Sequence, residues 1–135
     1  MELKLFGISH KTANLEMRES FVINDDHYSY IKNLLETKFA GEIDSTFVLS
    51  TCNRTEVYSY CRDEDSHQRF FQSIYKYLGC ELDITKNFYQ FSGIAAFKHM
   101  CSVASGIESR IIGEKEIFGQ FKKANELFLS IGLNK

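Results

Sequence analysis

Apolar and polar residues alternate loosely from Leu3 to Ile8, a pattern typical of a β-strand with one buried face. A second periodic segment follows Asn24-Asp25-Asp26, residue types that cap helix N-termini, and Gly41 is placed to stop the helix. The apolar positions at helical spacing in this segment are Tyr28, Ile31, Leu34, Leu35 and Phe39. The chain is therefore predicted to open with a strand and a helix.

Two short segments rich in β-branched and aromatic residues predict a hairpin in the middle of the chain. They run from Ser45 to Thr51 and from Glu56 to Cys61, on either side of Cys52-Asn53-Arg54. A second amphipathic helix is predicted from about Ser66 to Leu78, and a short fourth strand from Asn87 to Phe91. The order β-α-β-β-α-β is the ferredoxin-like arrangement, an α+β sandwich.

Helical sequence continues after the fourth strand, near Ala95 to Ala104 and again from Lys115 to Ile131, so extra C-terminal helices are expected. Three glycines stand among polar residues between Gly106 and Gln120. Their spacing matches neither the Gly-x-Gly-x-x-Gly nor the Gly-x-x-x-x-Gly-Lys-Ser/Thr loop, so no ATP or dinucleotide site is assigned there. A turn between helices accounts for them equally well.

The composition fits one compact domain. The chain has 135 residues, 44% hydrophobic and 14% aromatic, which is enough to bury a sizeable core. The formal net charge is -2 without blocks of like charge, so any RNA contact must be local or supplied from outside this chain. No apolar run approaches the ~20 residues that span a bilayer, and the polar start is unlike a signal peptide. We therefore expect a cytoplasmic protein with no membrane partner.

Cys52 is a candidate for chemistry because it lies where an apolar strand breaks into a polar run. If the backbone stays extended, Cys52 and Arg54 project to one face, where Arg54 could stabilise the thiolate or bind a substrate carboxylate. Alternatively, Cys52 is a small buried residue and Arg54 a surface charge, since free cysteines are among the most often buried residues. The residues alone leave both interpretations open.

The other cysteines and the histidines give weaker signals. The four cysteines form no Cys-x-x-Cys pair, which predicts reduced thiols and no metal site. Core-like or connecting sequence surrounds the remaining three, which are Cys61, Cys80 and Cys101. Among the histidines, His27 and His67 start predicted helices and are expected to be solvated, whereas His10 and His99 are either acid–base candidates or ordinary partly buried rings.

Three spaced motifs resemble the N-terminal domain of glutamyl-tRNA reductases. The first is Gly7-Ile8-Ser9-His10-Lys11-Thr12-Ala13 with Arg18, and the second is Ser50-Thr51-Cys52-Asn53-Arg54-Thr55-Glu56-Val57-Tyr58. The third comprises His99, Val103 to Ser109 and Ile112 to Lys122. The resemblance identifies residues 1–135 as the catalytic domain of that family.

The resemblance implies a reaction and a nucleophile. The family reduces glutamyl-tRNA with NADPH to glutamate-1-semialdehyde, the first step of five-carbon tetrapyrrole and porphyrin biosynthesis. Cys52 is implied to attack the aminoacyl ester and form a thioester before reduction, because a thioester accepts hydride more readily than an ester. His99 matches the family's important histidine, either as a proton donor to the leaving ribose hydroxyl or as a positioning group.

The same resemblance implies the substrate-binding residues. Around the nucleophile they are Thr51, Asn53 and Arg54, with Arg54 as partner of the glutamyl side-chain carboxylate. A second segment contributes Ser109, Glu114, Lys115, Glu116 and Gln120. In that segment Glu114 is suited to the substrate ammonium, while Ser109 and Gln120 are suited to neutral hydrogen bonds.

Family members are longer than this chain and add an NADPH-binding domain and a dimerisation domain. We therefore expect a truncated form of such a protein, with NADPH bound outside this chain, a homodimeric parent, and an aminomutase that accepts the aldehyde. Two other functions stay open: a cysteine-dependent acyl hydrolase or transferase that uses Cys52 and His99 without redox chemistry, and a non-catalytic ferredoxin-like binding module.

Overall fold

A computed structural model describes residues 1–104 of the chain, which form an antiparallel sheet flanked by helices. The strands are β1 (Glu2–Ser9), β2 (Ile43–Ser50), β3 (Arg54–Cys61) and β4 (Tyr89–Ser92). The helices are α1 (Leu15–Glu19), α2 (Tyr28–Glu36), α3 (Glu64–Tyr77), α4 (Ile84–Asn87) and α5 (Ile94–Ala104), with a 3-10 turn at Asp25–His27 ahead of α2. The predicted helix from Lys115 to Ile131 lies outside the described residues.

The strand order is β2-β3-β1-β4, with every neighbouring pair antiparallel. The central pair aligns Glu2 with Cys61 and Ser9 with Arg54, so the end of β1 meets the beginning of β3. This order, with α2 and α3 as the crossovers, confirms the predicted ferredoxin-like α+β arrangement.

Both faces of the sheet are covered, which explains why β1 is buried almost continuously instead of alternating. The larger core joins one face to α2 and α3, and Phe6 stacks on Phe71 there at a centroid distance of 4.4 Å. The smaller core joins the other face to α5, with Leu5 and Tyr58 packed in the same cluster as Ala96. The early part of the predicted C-terminal helices therefore closes the second face.

Side-chain caps mark the beginning of the 3-10 turn ahead of α2 and the beginning of α3. Asn24 accepts from the Asp26 backbone N–H, as the predicted N-terminus requires, and His27 reciprocates on the Asn24 N–H. Asp63 caps α3 by accepting from the Ser66 N–H at 2.8 Å. α2 stops at Glu36, short of the predicted Phe39, although Phe39 remains in the core. Within residues 1–104, no helix is both long and apolar enough to cross a bilayer.

Candidate active site

Cys52 lies in the tight connection between β2 and β3. The Thr51 N–H donates to the Arg54 carbonyl at 2.7 Å, while Thr51 Oγ1 accepts from the N–H groups of Asn53 (3.1 Å) and Arg54 (3.3 Å). The backbone therefore bends at Cys52, so the extended geometry that would have placed Cys52 and Arg54 on one face is absent. Cys52 is exposed, and the alternative of a buried thiol is wrong.

Two groups from the first third of the chain hold this loop. The first is Arg18, which lies in the short helix α1. It donates from Nε to the Cys52 carbonyl at 3.1 Å and from Nη1 to the Ala13 carbonyl at 2.9 Å. The His10 N–H donates to the Asn53 carbonyl at 2.9 Å. Arg18 is only 6% exposed, so its charge and its hydrogen bonds act at short range on the Cys52 backbone.

An open cavity of about 390 Å³ adjoins the same loop. Its lining residues are His10, Ala13, Asn14, Leu15 and Arg18. Because Arg18 lines this cavity and also bonds the Cys52 carbonyl, the cavity and the exposed thiol belong to one region of the surface. Sequence reasoning included Arg18 in a motif but gave it no role.

Arg54 leads into a cluster of polar side chains on the α5 face of the sheet. Alternate residues of β3 share a face, which brings Arg54, Glu56 and Tyr58 together. The Glu56 carboxyl is 0% exposed and forms an ion pair with Arg54 Nη1 at 3.4 Å. Arg54 is itself 1% exposed, so the alternative of a surface charge is wrong as well.

Three further donors surround Glu56. Tyr58 donates its hydroxyl to Oε1 at 2.6 Å, and Tyr89 from β4 donates to Oε2 at 2.5 Å. His99 from α5 contacts Oε2 through Nε2, also at 2.5 Å, with its side chain 12% exposed. A buried carboxylate is costly unless it is paired and hydrogen-bonded, and here both conditions are met.

These contacts keep Glu56 ionised. Burial raises its pKa, but the hydrogen bond and charge of His99, together with the two tyrosine hydroxyls, outweigh burial and hold the pKa below the ordinary value. Burial and the Glu56 charge raise the pKa of Tyr58 and of Tyr89, so both phenols stay protonated as donors. Since an ionised carboxylate only accepts, the hydrogen between Glu56 and His99 belongs to Nε2.

The structure therefore brings together some of the predicted residues and not others. Arg54 and His99 meet through Glu56, whereas Thr51 and Asn53 shape the cysteine loop. The remaining predicted substrate residues lie outside the described part of the chain; they are Ser109, Glu114, Lys115, Glu116 and Gln120. In residues 1–104, no group of three or more histidine, cysteine or acidic side chains is arranged to hold a metal ion.

Two predictions about single residues were wrong. His67 is 1% exposed instead of solvated, because the first turn of α3 lies against the core and places its ring 5.6 Å from that of Phe6. Burial lowers the pKa of His67 to about 4. Cys101 is exposed despite its apolar surroundings in sequence, while Cys61 and Cys80 are buried as expected.

Comparisons with known proteins match nearly the whole chain. The family described as "Glutamyl-tRNAGlu reductase, N-terminal domain" matches residues 6–134. Glutamyl-tRNA reductase of Akkermansia muciniphila is 36% identical over 136 residues, covering 98% of this chain and 39% of that protein. The reductase of Hydrogenovibrio crunogenus is 35% identical, covering 94% of this chain and 29% of that protein.

A solved structure gives the same result at the level of the fold. Glutamyl-tRNA reductase from Methanopyrus kandleri superposes with a TM-score of 0.76 at 28% identity, covering 98% of this chain and 29% of that one. The chain thus spans well under half the length of these relatives. Sequence, motifs and fold agree that the chain belongs to the family of glutamyl-tRNA reductase N-terminal domains.

Proposed function

We propose that this chain forms the acyl-transfer site of an NADPH-dependent glutamyl-tRNA reductase, which reduces glutamyl-tRNA to glutamate-1-semialdehyde in cytoplasmic tetrapyrrole synthesis. The observation that carries the proposal is the exposed Cys52 thiol on a loop fixed from both sides by Arg18 and Thr51. A nucleophile needs access to its substrate and a defined position, and this loop provides both. The names of the matched relatives supply the substrate class.

The proposed step exchanges one acyl bond for another. The Cys52 thiolate attacks the carbonyl carbon of the aminoacyl ester, an S–C bond forms, and the bond between that carbon and the ribose oxygen breaks. The ribose oxygen leaves with one proton, which originates from the thiol and is carried by His99. The products are a glutamyl thioester on Cys52 and free tRNA, so atoms and charge balance without an oxidant or reductant.

Glutamyl recognition is assigned to residues next to Cys52 and to a second segment later in the sequence. Thr51, Asn53 and Arg54 would hold the glutamyl group, together with the second predicted segment, which comprises Ser109, Glu114, Lys115, Glu116 and Gln120. Because Arg54 is buried and paired with Glu56, a substrate carboxylate that reaches Arg54 has to enter the polar cluster. The glutamyl side chain would then lie toward the sheet, with its ester at Cys52.

Neither the glycine spacing of the sequence nor the start of α5 fits the phosphates of NADPH. Neither phosphate-binding glycine spacing occurs in the sequence. At the start of α5, the Gly93 N–H is already bonded to the Leu3 carbonyl at 2.7 Å, and a Glu2 carboxylate oxygen lies 2.6 Å from where a Gly93 Cβ would stand. A phosphate at this helix N-terminus would face an acidic side chain. We therefore assign NADPH, which would reduce the thioester, to another part of the parent protein, a homodimer that passes its aldehyde to an aminomutase.

The test uses glutamyl-tRNA charged with labelled glutamate. We expect the 135-residue chain to acquire the label and to release tRNA without oxidising added NADPH. The Cys52→Ser variant is the control and should acquire no label. Oxidation of NADPH by the isolated chain in the presence of glutamyl-tRNA would show that the assignment of the cofactor to another part of the protein is wrong.

Thiol labelling separates a catalytic domain from a binding module. Cys52 and Cys101 are both exposed, so Cys101 is the matched control for accessibility. We expect iodoacetamide to modify Cys52 faster near neutral pH, because Cys52 lies on the loop that Arg18 anchors. Equal rates at the two cysteines would favour the binding module.

A further inference from the structure

Glu56 ties together three elements that are distant in sequence. Its own strand β3 supplies Arg54 and Tyr58, β4 supplies Tyr89, and α5 supplies His99. A carboxylate offers about four lone-pair sites on its two oxygens, and here four donors approach it. Three of these donors contact Oε2 and the Tyr58 hydroxyl contacts Oε1, so contacts on both oxygens hold the carboxylate in one orientation.

The orientation of His99 follows from this arrangement. Because Glu56 is an anion, Nε2 of His99 must carry a hydrogen whether the ring is neutral or charged. Gain and loss of a proton by the ring are then confined to Nδ1. Among the residues that the structure describes, Nδ1 has no hydrogen-bond partner, whereas Tyr89 and Phe91 contact the ring with centroid distances of 5.3 and 5.1 Å.

We propose that Glu56 is a positioning residue for acyl transfer: it fixes His99 through Nε2, so that Nδ1 carries the proton to the leaving ribose oxygen. This inference rests on the proposed function. Glu56 is a partner of neither the thiol nor the ester in this step, and it acts through His99. A carboxylate that orients a histidine in this way sets which ring nitrogen is reactive.

A purely structural role is the competing explanation, since Glu56 also links β3, β4 and α5. The two explanations differ in a double-mutant cycle. A residue that acts through His99 loses its effect once His99 is gone, whereas an independent structural contribution adds to the loss caused by His99→Ala.

Glu56→Gln is the informative variant because it keeps the shape and removes the charge. Its amide oxygen can still accept from Tyr89 and His99 if the amide nitrogen turns toward Tyr58, whose hydroxyl can then accept. We expect acylation of Cys52 by glutamyl-tRNA to slow at least about tenfold. Tyr58→Phe is the matched control, since it removes a donor from Oε1 and leaves the oxygen that binds His99; we expect it to slow acylation less than about threefold.

In the cycle, we expect Glu56→Gln to cause no further slowing in the His99→Ala background. Additive effects, or a Tyr58→Phe variant as slow as Glu56→Gln, would overturn the proposal.

¹⁵N NMR of the unmodified chain is a second test, which shows directly which ring nitrogen of His99 carries the hydrogen. We expect the hydrogen of the neutral ring on Nε2, and a neutral ring protonated on Nδ1 contradicts the inference. If Cys52 of the unmodified chain takes no glutamyl group, the proposed function fails instead, and the NMR result still decides the orientation of His99.

Discussion

Replacing Gly7 by alanine should damage both the stability of the domain and its site. Gly7 lies in β1 opposite Glu56 of β3 and Tyr89 of β4. A Cβ at this position would stand 2.9 Å from Glu56 Cγ, 2.9 Å from the Thr55 carbonyl oxygen and 3.2 Å from the Tyr89 hydroxyl. The first two distances are shorter than real Cβ contacts, so something has to move.

Neither close neighbour of Gly7 can move cheaply. The Thr55 carbonyl belongs to the backbone of a central strand, and Glu56 is held by four donors. Overpacking of a core costs about 1–3 kcal/mol. Alanine also restricts the unfolded chain, which offsets about 0.4–1 kcal/mol of that cost. We therefore expect Gly7→Ala to lower the free energy of unfolding by about 1–2 kcal/mol and to displace Glu56.

Urea unfolding and Cys52 acylation should be measured on the same samples. Gly41→Ala is the control, because Gly41 has a φ of +79° and no atom lies within 4 Å of where its Cβ would stand, so its cost of about 1–2 kcal/mol is confined to the backbone. Both variants should lose stability, but only Gly7→Ala should also acylate Cys52 slowly. A Gly7→Ala protein as stable and as reactive as the unmodified chain refutes the close packing of Gly7 on Glu56.

Two further predictions concern buried basic side chains. The folded pKa of His67 is about 4 against an ordinary 6.5, so as pH falls the unfolded chain takes up the proton first and stability is lost. Between pH 7 and pH 5 the loss in the free energy of unfolding amounts to about 2 kcal/mol. Urea titrations at the two pH values should show that the His67→Gln variant loses about 2 kcal/mol less of its free energy of unfolding than the unmodified chain does. Arg18→Leu removes hydrogen bonds to the Cys52 and Ala13 carbonyls and should lower the free energy of unfolding by about 2–4 kcal/mol. Arg18→Lys should recover less than half of that loss in the same assay, because an ammonium cannot reproduce the planar fork.

Much of the fold could be predicted from local pattern. The four strands, α2 and α3 were each marked by periodicity or by a capping residue, and their order was enough to give the ferredoxin-like arrangement. The short helices α1 and α4 were missed, because segments of 5 and 4 residues are too short to show a helical period.

Less of the candidate site could be predicted from the sequence, because the contacts that form the site join residues that are far apart in the chain. Arg18 reaches the carbonyl of a residue 34 positions later, and His99 meets Glu56 across 43 positions. The exposure of Cys52 depends on the bend that Thr51 stabilises, whereas the residue type alone favours burial. His67 shows the reverse error, since its polar neighbours concealed a helix turn that faces the core.

The most direct test of Cys52 as the acyl acceptor is peptide mass spectrometry after a single exposure of the chain to labelled glutamyl-tRNA. We expect a glutamyl group on the peptide that contains Cys52, removable by hydroxylamine as a thioester is, in a yield that matches the tRNA released. The Cys52→Ser chain should carry none. A glutamyl group on another residue, or no adduct under conditions in which the full-length parent enzyme is active, would contradict the assignment of Cys52 as the nucleophile.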